Sequence, residues 1–336
     1  MNNIKKINID VYRFIATLMV VAIHIYPLTS LNKDLDFIIT RVIFRIAVPF
    51  FLMITGYFLL EKALSNRKVI KEYTFKILKL YFISIIIFLP LNIYNGYFNN
   101  IDISVILKDI IVNGTFYHLW YFPSLLLGLW ILYFLIKKFD NKTISLIVII
   151  LYIIGLFGDS YFGFVKNLSF FNNFYSLIFN IFDYTRNGLF YTPIFLYIGY
   201  LFRVNNYKLS NKKNILFVLL FLILLIIEGA LLYYYKIPRH TSMYIFLIPL
   251  SIFIFSYAIN SSSLSNKNLR NISSWIYILH PLFIAIYHFI SERVNCFFFD
   301  NSLVSYVSIV VLTIVFILII KKVKEVIING NRIIKK

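Results

Sequence analysis

Arg13 and His24 lie eleven residues apart in an otherwise apolar run. At 100° per residue that spacing puts both on one face of a helix, about 16 Å apart along its axis. Arg41 and Arg45 follow at i and i+4, again one helix face, with Pro49 one turn later. His118, Arg186, Asn187, Glu228 and His280, the last directly before Pro281, complete the set of polar groups in apolar surroundings. A charge near the centre of a membrane helix costs about 2.5–3.5 kcal/mol, so each needs a reason. These residue types can move a proton and hold an anion. Histidine titrates near neutral pH and can act as a general base. Arginines in a low-dielectric site stabilise a developing oxyanion and hold anionic phosphates. Each residue also has a plainer reading. An arginine near a helix end can snorkel to the headgroups, as Arg13, Arg41 and, less readily at its depth, Arg45 could. His24 could be a neutral core histidine bonded to a carbonyl, and His118 an interfacial anchor. Glu228 could only neutralise an arginine, and His280 could cap or kink its helix at Pro281.

The elements that carry these residues are membrane helices. The chain has 336 residues, 60% hydrophobic and 14% charged, with a mean hydropathy of +0.82. Soluble domains carry about 25% charged residues, so an ordinary globule, a disordered chain and a collagen-like fibre are excluded. Apolar runs predict an all-α integral membrane protein with ten spans in one bundle. They run roughly over 9–29, 37–60, 73–95, 117–136, 143–160, 188–204, 214–235, 242–260, 273–291 and 303–321, with a basic tail over 322–336. The first is retained rather than a signal peptide, because it holds Arg13, lacks a small-residue cleavage site and is followed by nine more. The whole chain reads as a single membrane-embedded domain, with no soluble domain at either end. No glycine-rich phosphate loop, HExxH motif or heptad array occurs.

Charge orients the spans. With the N-terminus in the cytoplasm, 23 Lys and Arg fall in inside segments, 7 outside and 3 within spans. That bias predicts both termini inside and makes topology, rather than nucleic acid, the reason for a net charge of +19. The lone Cys296 excludes an internal disulfide and a cysteine metal site; no metal is expected. The outer segments 96–116 and 161–187 are aromatic, and Phe170, Phe171, Phe174, Tyr175, Phe179, Phe182 and Tyr184 predict a segment in the outer interface or folded back into the bundle. This topology places His24, Arg41, Arg45, His118, Arg186 and Glu228 at one depth, toward the outside, and predicts a polar chamber open on that side. His280 falls in the cytoplasmic half of the ninth span, where it and Arg13 would line an inner vestibule.

The first two spans carry a resemblance. Asp10-Val-Tyr-Arg13 through Ala-Ile-His24 matches the Arg-x10-His pattern of the membrane-bound acyltransferase-3 family. Arg45-Ile-Ala-Val-Pro49-Phe-Phe-Leu-Met-Ile-Thr-Gly56-Tyr resembles the arginine–proline–aromatic–glycine stretch of the family's next span. His118-Leu-Trp120-Tyr-Phe and Tyr277-Ile-Leu-His280-Pro281 are further look-alikes, and the family's usual ten spans agree with the count. Within it, Arg186-Asn187-Gly188-Leu-Phe-Tyr-Thr-Pro193 and Thr241-Ser242-Met243-Tyr244 look like the membrane half of the VanT-type membrane-bound serine racemases. Those proteins carry a pyridoxal-phosphate racemase domain after the last span. This chain ends at Lys336, about fifteen residues past its last span, and is not expected to racemise serine by that route.

The resemblance implies O-acyl transfer in a bacterial cytoplasmic membrane. An acyl group, usually acetyl, would pass from cytoplasmic acyl-CoA, a co-substrate rather than a bound cofactor, to a hydroxyl of an extracytoplasmic cell-envelope acceptor. His24 is the implied catalytic residue, with Arg13 and Arg45 serving the active site. Arg41, His118, Trp120, Arg186, Asn187, Glu228 and His280 are expected to bind substrate or acyl donor. The implied partners are the lipid bilayer, acyl-CoA and the acceptor, with no nucleic acid; a separate racemase or envelope-biosynthesis partner is not legible. The alternative is a VanT-like membrane domain that handles or transports a small amino acid such as L-serine, which would show as flux into sealed vesicles without an acyl donor. A scaffold whose polar residues are structural is the third reading.

Overall fold

The structure, a computed structural model, describes residues 9–99, 102–207, 209–261, 266–294 and 297–334. Lys5, Lys6, Lys208, Lys335 and Lys336 of the inside count and Cys296 lie outside the described residues. Among the described residues the chain is helical, without strands. The main helices are α1 (Ile9–Ile25), α2 (Lys33–Ser65), α3 (Arg67–Tyr94), α4 (Tyr121–Lys138), α5 (Asn141–Phe157), α6 (Ser169–Ile181), α7 (Thr192–Val204), α8 (Asn211–Tyr234), α9 (Leu247–Ser261), α10 (Lys267–Ser291) and α11 (Ser302–Ile334). By length and composition α2, α3, α4, α8, α10 and α11 can each cross a membrane, whereas α5, α7 and α9 are apolar but shorter. Starts are fixed by side chains that accept backbone N–H groups: Asn66 from Lys68 before α3, Asp140 from Lys142 before α5, and Asn266 from Leu269 before α10.

The chain forms two compact units. One comprises the described residues of Met1–Thr40 and Ser261–Lys336, the other those of Arg41–Asn260.

In the first unit α1, α10 and α11 pack together. α1 and α10 run in the same direction: Asp10 at the start of α1 accepts the Asn266 N–H at the start of α10, and His24 at the end of α1 stacks on His280 inside α10. The Tyr306 hydroxyl of α11 donates to the Leu18 carbonyl at 3.2 Å, and Ser302 to Pro27 at 2.7 Å. Helix α1 stops at Ile25 rather than near residue 29, since Tyr26 takes a left-handed φ of 57° that a helix cannot continue through.

The second unit is built around α7, whose Ile194, Phe195, Leu196 and Tyr197 are all buried. Gly56 of α2 and Gly199 of α7 face each other's backbones: a Cβ on Gly56 would strike the Leu196 carbonyl, and one on Gly199 the Met53 carbonyl. Close approach through small residues is how membrane helices gain packing without a hydrophobic drive. Helix α2 is irregular. A π-turn covers Phe37–Val42, a 3-10 turn Ile43–Ile46, regular helix resumes over Ala47–Thr55, and a second π-turn covers Gly56–Leu60. Pro49 cannot donate to the Arg45 carbonyl, and the tighter turn just before it accommodates that loss. The i, i+4 face expected for Arg41 and Arg45 is therefore re-aimed by the change of helix type between them.

Helices α7 and α9 begin four to five residues later than the apolar runs predict. The residues ahead of each turn their backbone N–H groups onto Asn187, Asp159 and Glu228 instead of onto a preceding helical turn.

Candidate functional site

In the first unit, His24 and His280 stack with ring centroids 5.4 Å apart and planes at 28°. This corrects the expectation that they sit at different depths: α10 starts six residues earlier than the predicted span, so His280 falls near its middle, level with the end of α1. His280 is fully buried, and its Nδ1 lies 3.0 Å from the Ile276 carbonyl. A carbonyl only accepts, so Nδ1 carries the proton and Nε2 the lone pair of the neutral ring. Tyr277 packs nearby, its ring 6.3 Å from His280.

Arg13 pairs with Asp10 at 2.9 Å, and the other oxygen of the fully buried Asp10 accepts the Asn266 N–H at 2.7 Å. The Thr17 hydroxyl donates to the Arg13 carbonyl. Arg13 therefore lies beside the start of α10, about 16 Å along α1 from His24. Asp10 entered the sequence reading only as part of a motif, and the structure makes it the counter-ion of Arg13.

In the second unit, the arginines gather around a carboxylate that the sequence reading passed over. Asp159 is fully buried just past the end of α5. Its Oδ1 accepts from the Ser160 hydroxyl (2.9 Å), the Ser242 N–H (2.7 Å) and the Met243 N–H (3.0 Å). Its backbone carbonyl accepts the Arg239 N–H. Asp159 attracts Arg45, Arg186 and Arg239 electrostatically, and Arg41, Arg45 and Arg186 repel one another. Arg45 is 7% exposed and reaches Thr241 Oγ1 from Nη2 at 3.5 Å.

Arg186 stacks between aromatic rings, its guanidinium carbon 4.7 Å from the Trp120 centroid and 4.8 Å from that of Tyr184. Buried Tyr191 stands 6.3 Å from both Trp120 and Tyr152. Buried Tyr244 donates from its hydroxyl to the Arg41 carbonyl at 3.0 Å and accepts at its own carbonyl from Tyr152 at 2.8 Å. Asn187 forms a tight turn beside Arg186, Oδ1 taking the Leu189 and Phe190 N–H groups and Nδ2 donating to the Tyr184 carbonyl. His240 packs edge-on against Tyr184, centroids 4.5 Å apart. Burial pushes the His240 imidazole down to about 4, with Arg239, Arg186 and Arg45 adding to the effect and Asp159 opposing it.

Glu228 and His118 have partners of their own. Glu228 accepts from the Ile245 N–H (2.6 Å) and the Tyr161 hydroxyl (2.8 Å) at Oε1, and from the Phe246 N–H (2.9 Å) at Oε2. It thus fastens α8 to the turn that leads into α9. His118 is buried among the rings of Phe88, Phe116 and Tyr117, at 4.8, 5.8 and 5.6 Å.

Among the described residues, no group of three or more His, Cys, Asp or Glu could hold a metal ion. Chemically the first unit offers a stacked imidazole pair in an apolar helix interface. The second offers one buried and two half-buried guanidiniums, Arg45, Arg41 and Arg186, near the buried carboxylate of Asp159, with aromatic rings beside them.

The described residues are helical, six of the helices are long and apolar enough to cross a membrane, and the family model described as an acyltransferase domain matches residues 6–322. The chain belongs to that family, acyltransferase-3. Among curated proteins it is 39% identical over 328 residues to a serine/alanine racemase of Enterococcus gallinarum, covering 96% of this chain and 47% of that protein. It is 37% and 38% identical to two amino-acid racemases of Enterococcus faecalis, covering 93% and 90% of this chain and 44% of each relative. The chain thus spans about half the length of the curated relatives it matches, their membrane part. No solved structure matches.

Proposed function

We propose that the protein is a membrane-bound O-acyltransferase that moves an acyl group, acetyl in the simplest case, from cytoplasmic acyl-CoA to a hydroxyl of an extracytoplasmic envelope acceptor. The observation that supports it is the His24–His280 stack, with His280 held through Nδ1 on the Ile276 carbonyl. In this reading His24 takes the acceptor's hydroxyl proton as the oxygen attacks the thioester carbonyl. The tetrahedral oxyanion collapses with release of coenzyme A thiolate, which the imidazolium reprotonates. His280 orients His24 and tunes its basicity through the stacked ring. Arg13, in the same unit as His24, supplies positive charge for the anionic groups of the donor. The same reading carries ten spans with both termini in the cytoplasm of a bacterial cell.

The experiment is binding and hydrolysis of labelled acetyl-CoA by the purified protein. Wild type is expected to bind saturably and release acetate slowly. His24→Ala keeps the fold and the donor binding and loses at least 100-fold in release, the usual scale of a general base. Arg13→Ala weakens donor binding. Absence of binding at millimolar donor would overturn the reading.

A second reading is that the chain handles a small amino acid. The relatives named as serine/alanine and amino-acid racemases support it, as does the coexistence of buried Arg45, half-buried Arg186 and buried Asp159 in the second unit.

A further inference from the structure

Charge in the second unit is arranged in a way that packing alone does not explain. Arg45 is buried and Arg186 half-buried, yet among the described residues neither guanidinium forms an ion pair, and the Nε of each is itself buried with no hydrogen-bond partner. A buried guanidinium without a carboxylate bears a large desolvation cost. Asp159 attracts both arginines electrostatically but does not pair directly with either. Three donors fix its Oδ1, and its buried Oδ2 has no partner. The other nearby carboxylate, Glu228, has both oxygens engaged by backbone and tyrosine donors. Unused donors and an unused acceptor thus share one neighbourhood, tied together by the tripeptide Thr241–Met243: Arg45 reaches Thr241, and Asp159 holds the next two N–H groups.

These groups dictate the chemistry of a ligand. The guanidiniums call for an anion with paired oxygens. An anion lying against them also meets the bare Oδ2 of Asp159 and must present a donor there, best a cationic one. Inorganic phosphate meets the first demand but offers the second only a hydroxyl donor, with no positive charge. A carboxylate with an ammonium on the adjacent carbon meets both. We propose that Arg45, Arg186 and Asp159 form a binding site for a free α-amino acid, its carboxylate on the two guanidiniums and its ammonium on Asp159 Oδ2. The rings of Trp120, Tyr184 and Tyr191 wall this neighbourhood. The proposal deepens the second reading above and does not depend on acyl transfer. Binding without flux would leave the site standing and remove transport.

Equilibrium dialysis of the full chain in lipid nanodiscs tests it, with labelled glycine, L-alanine and L-serine as probes. At least one of the three is expected to bind saturably. Acetate, methylammonium and inorganic phosphate, each supplying only part of the pattern, are expected to compete at least 10-fold more weakly. Asp159→Asn preserves an acceptor for Ser242 and Met243 and is expected to lower amino-acid affinity at least 10-fold while leaving acetate competition within threefold. Arg186→Lys, which keeps the charge and loses the fork, is expected to weaken amino acids and acetate alike. Phosphate binding more tightly than any of the three amino acids would overturn the proposal in favour of a plain anion site. No amino-acid binding, or unchanged affinity in Asp159→Asn, would also overturn it. If Asp159→Asn does not fold, the comparison of glycine with acetate and methylammonium on wild type decides.

Discussion

His240 is a half-buried histidine outside the membrane-length helices, surrounded by charged groups. It faces Asp159, Arg239, Arg186 and Arg45 and packs on Tyr184. Burial first, and then the three arginines, hold its pKa at about 4, against about 6.5 for an unfolded histidine. Between those values the unfolded chain binds a proton that the folded chain does not, so stability rises with pH across the window and is lost as pH falls from about 6.5 toward 4. Thermal unfolding in detergent at half-unit steps checks this. Wild type is expected to lose melting temperature over that range, and His240→Gln to lose measurably less. Parallel curves would show that other groups carry the dependence. What was legible at this scale was residue type and sequence position. His24, Arg45 and Arg186 stood out because each is a charged or titratable group in apolar surroundings. Asp159 lay inside the predicted fifth span, 143–160, one residue from its end, where a carboxylate reads as an ordinary helix terminus. Its importance comes from donors more than 80 residues away, Ser242 and Met243, which no local pattern encodes.

Helix boundaries decide which groups meet. Hydropathy locates every long helix, but it counts apolar atoms and not hydrogen bonds, so the irregular stretches ahead of α7 and α9 read as span. In the structure they are held by side-chain acceptors. Asn187 organises the first, and Glu228 and Asp159 organise the second. Glu228 shows how an apparent functional charge can be an element's fastening: its two oxygens hold the Ile245 and Phe246 N–H groups and the Tyr161 hydroxyl. Glu228→Ala leaves two backbone donors without their acceptor, at about 1–3 kcal/mol each, so a loss of roughly 2–6 kcal/mol is expected. Glu228→Gln, which retains one acceptor oxygen, is expected to fall between the two. Thermal melts followed by tryptophan fluorescence give the ranking, and an alanine variant as stable as wild type would make Glu228 a functional rather than a fastening residue. The π-turns of α2 were not legible at all. They depend on how Arg41 and Gly56 are accommodated against other helices, and Pro49 marked only that some irregularity was due.

At the scale of the whole molecule, helix length bears on how many helices cross the membrane. Among the described residues six are long enough on their own. Helices α1 and α5 have 17 residues, α9 has 15 and α7 has 13, spanning roughly 20–26 Å at 1.5 Å per residue against a hydrocarbon core of about 30 Å. In the ten-span reading the irregular stretches ahead of α7 and α9 make up the difference, which the bilayer tolerates where such backbone is covered by protein. The two topologies disagree about particular residues. With the N-terminus inside and ten spans, Lys138 and Asn205 face the cytoplasm and Lys236 faces out. With only the six long helices crossing, all three reverse. Lys137, Lys138, Arg203, Lys212 and Lys213 would then sit outside, against the positive-inside bias. The three test positions are exposed, so each can be converted to cysteine in a Cys296→Ser background and probed with a membrane-impermeant maleimide on intact cells. Lys236→Cys is expected to label before permeabilisation, and Lys138→Cys and Asn205→Cys only after it. The opposite pattern would replace ten spans by six, and labelling of all three from outside would mean that neither count describes the chain.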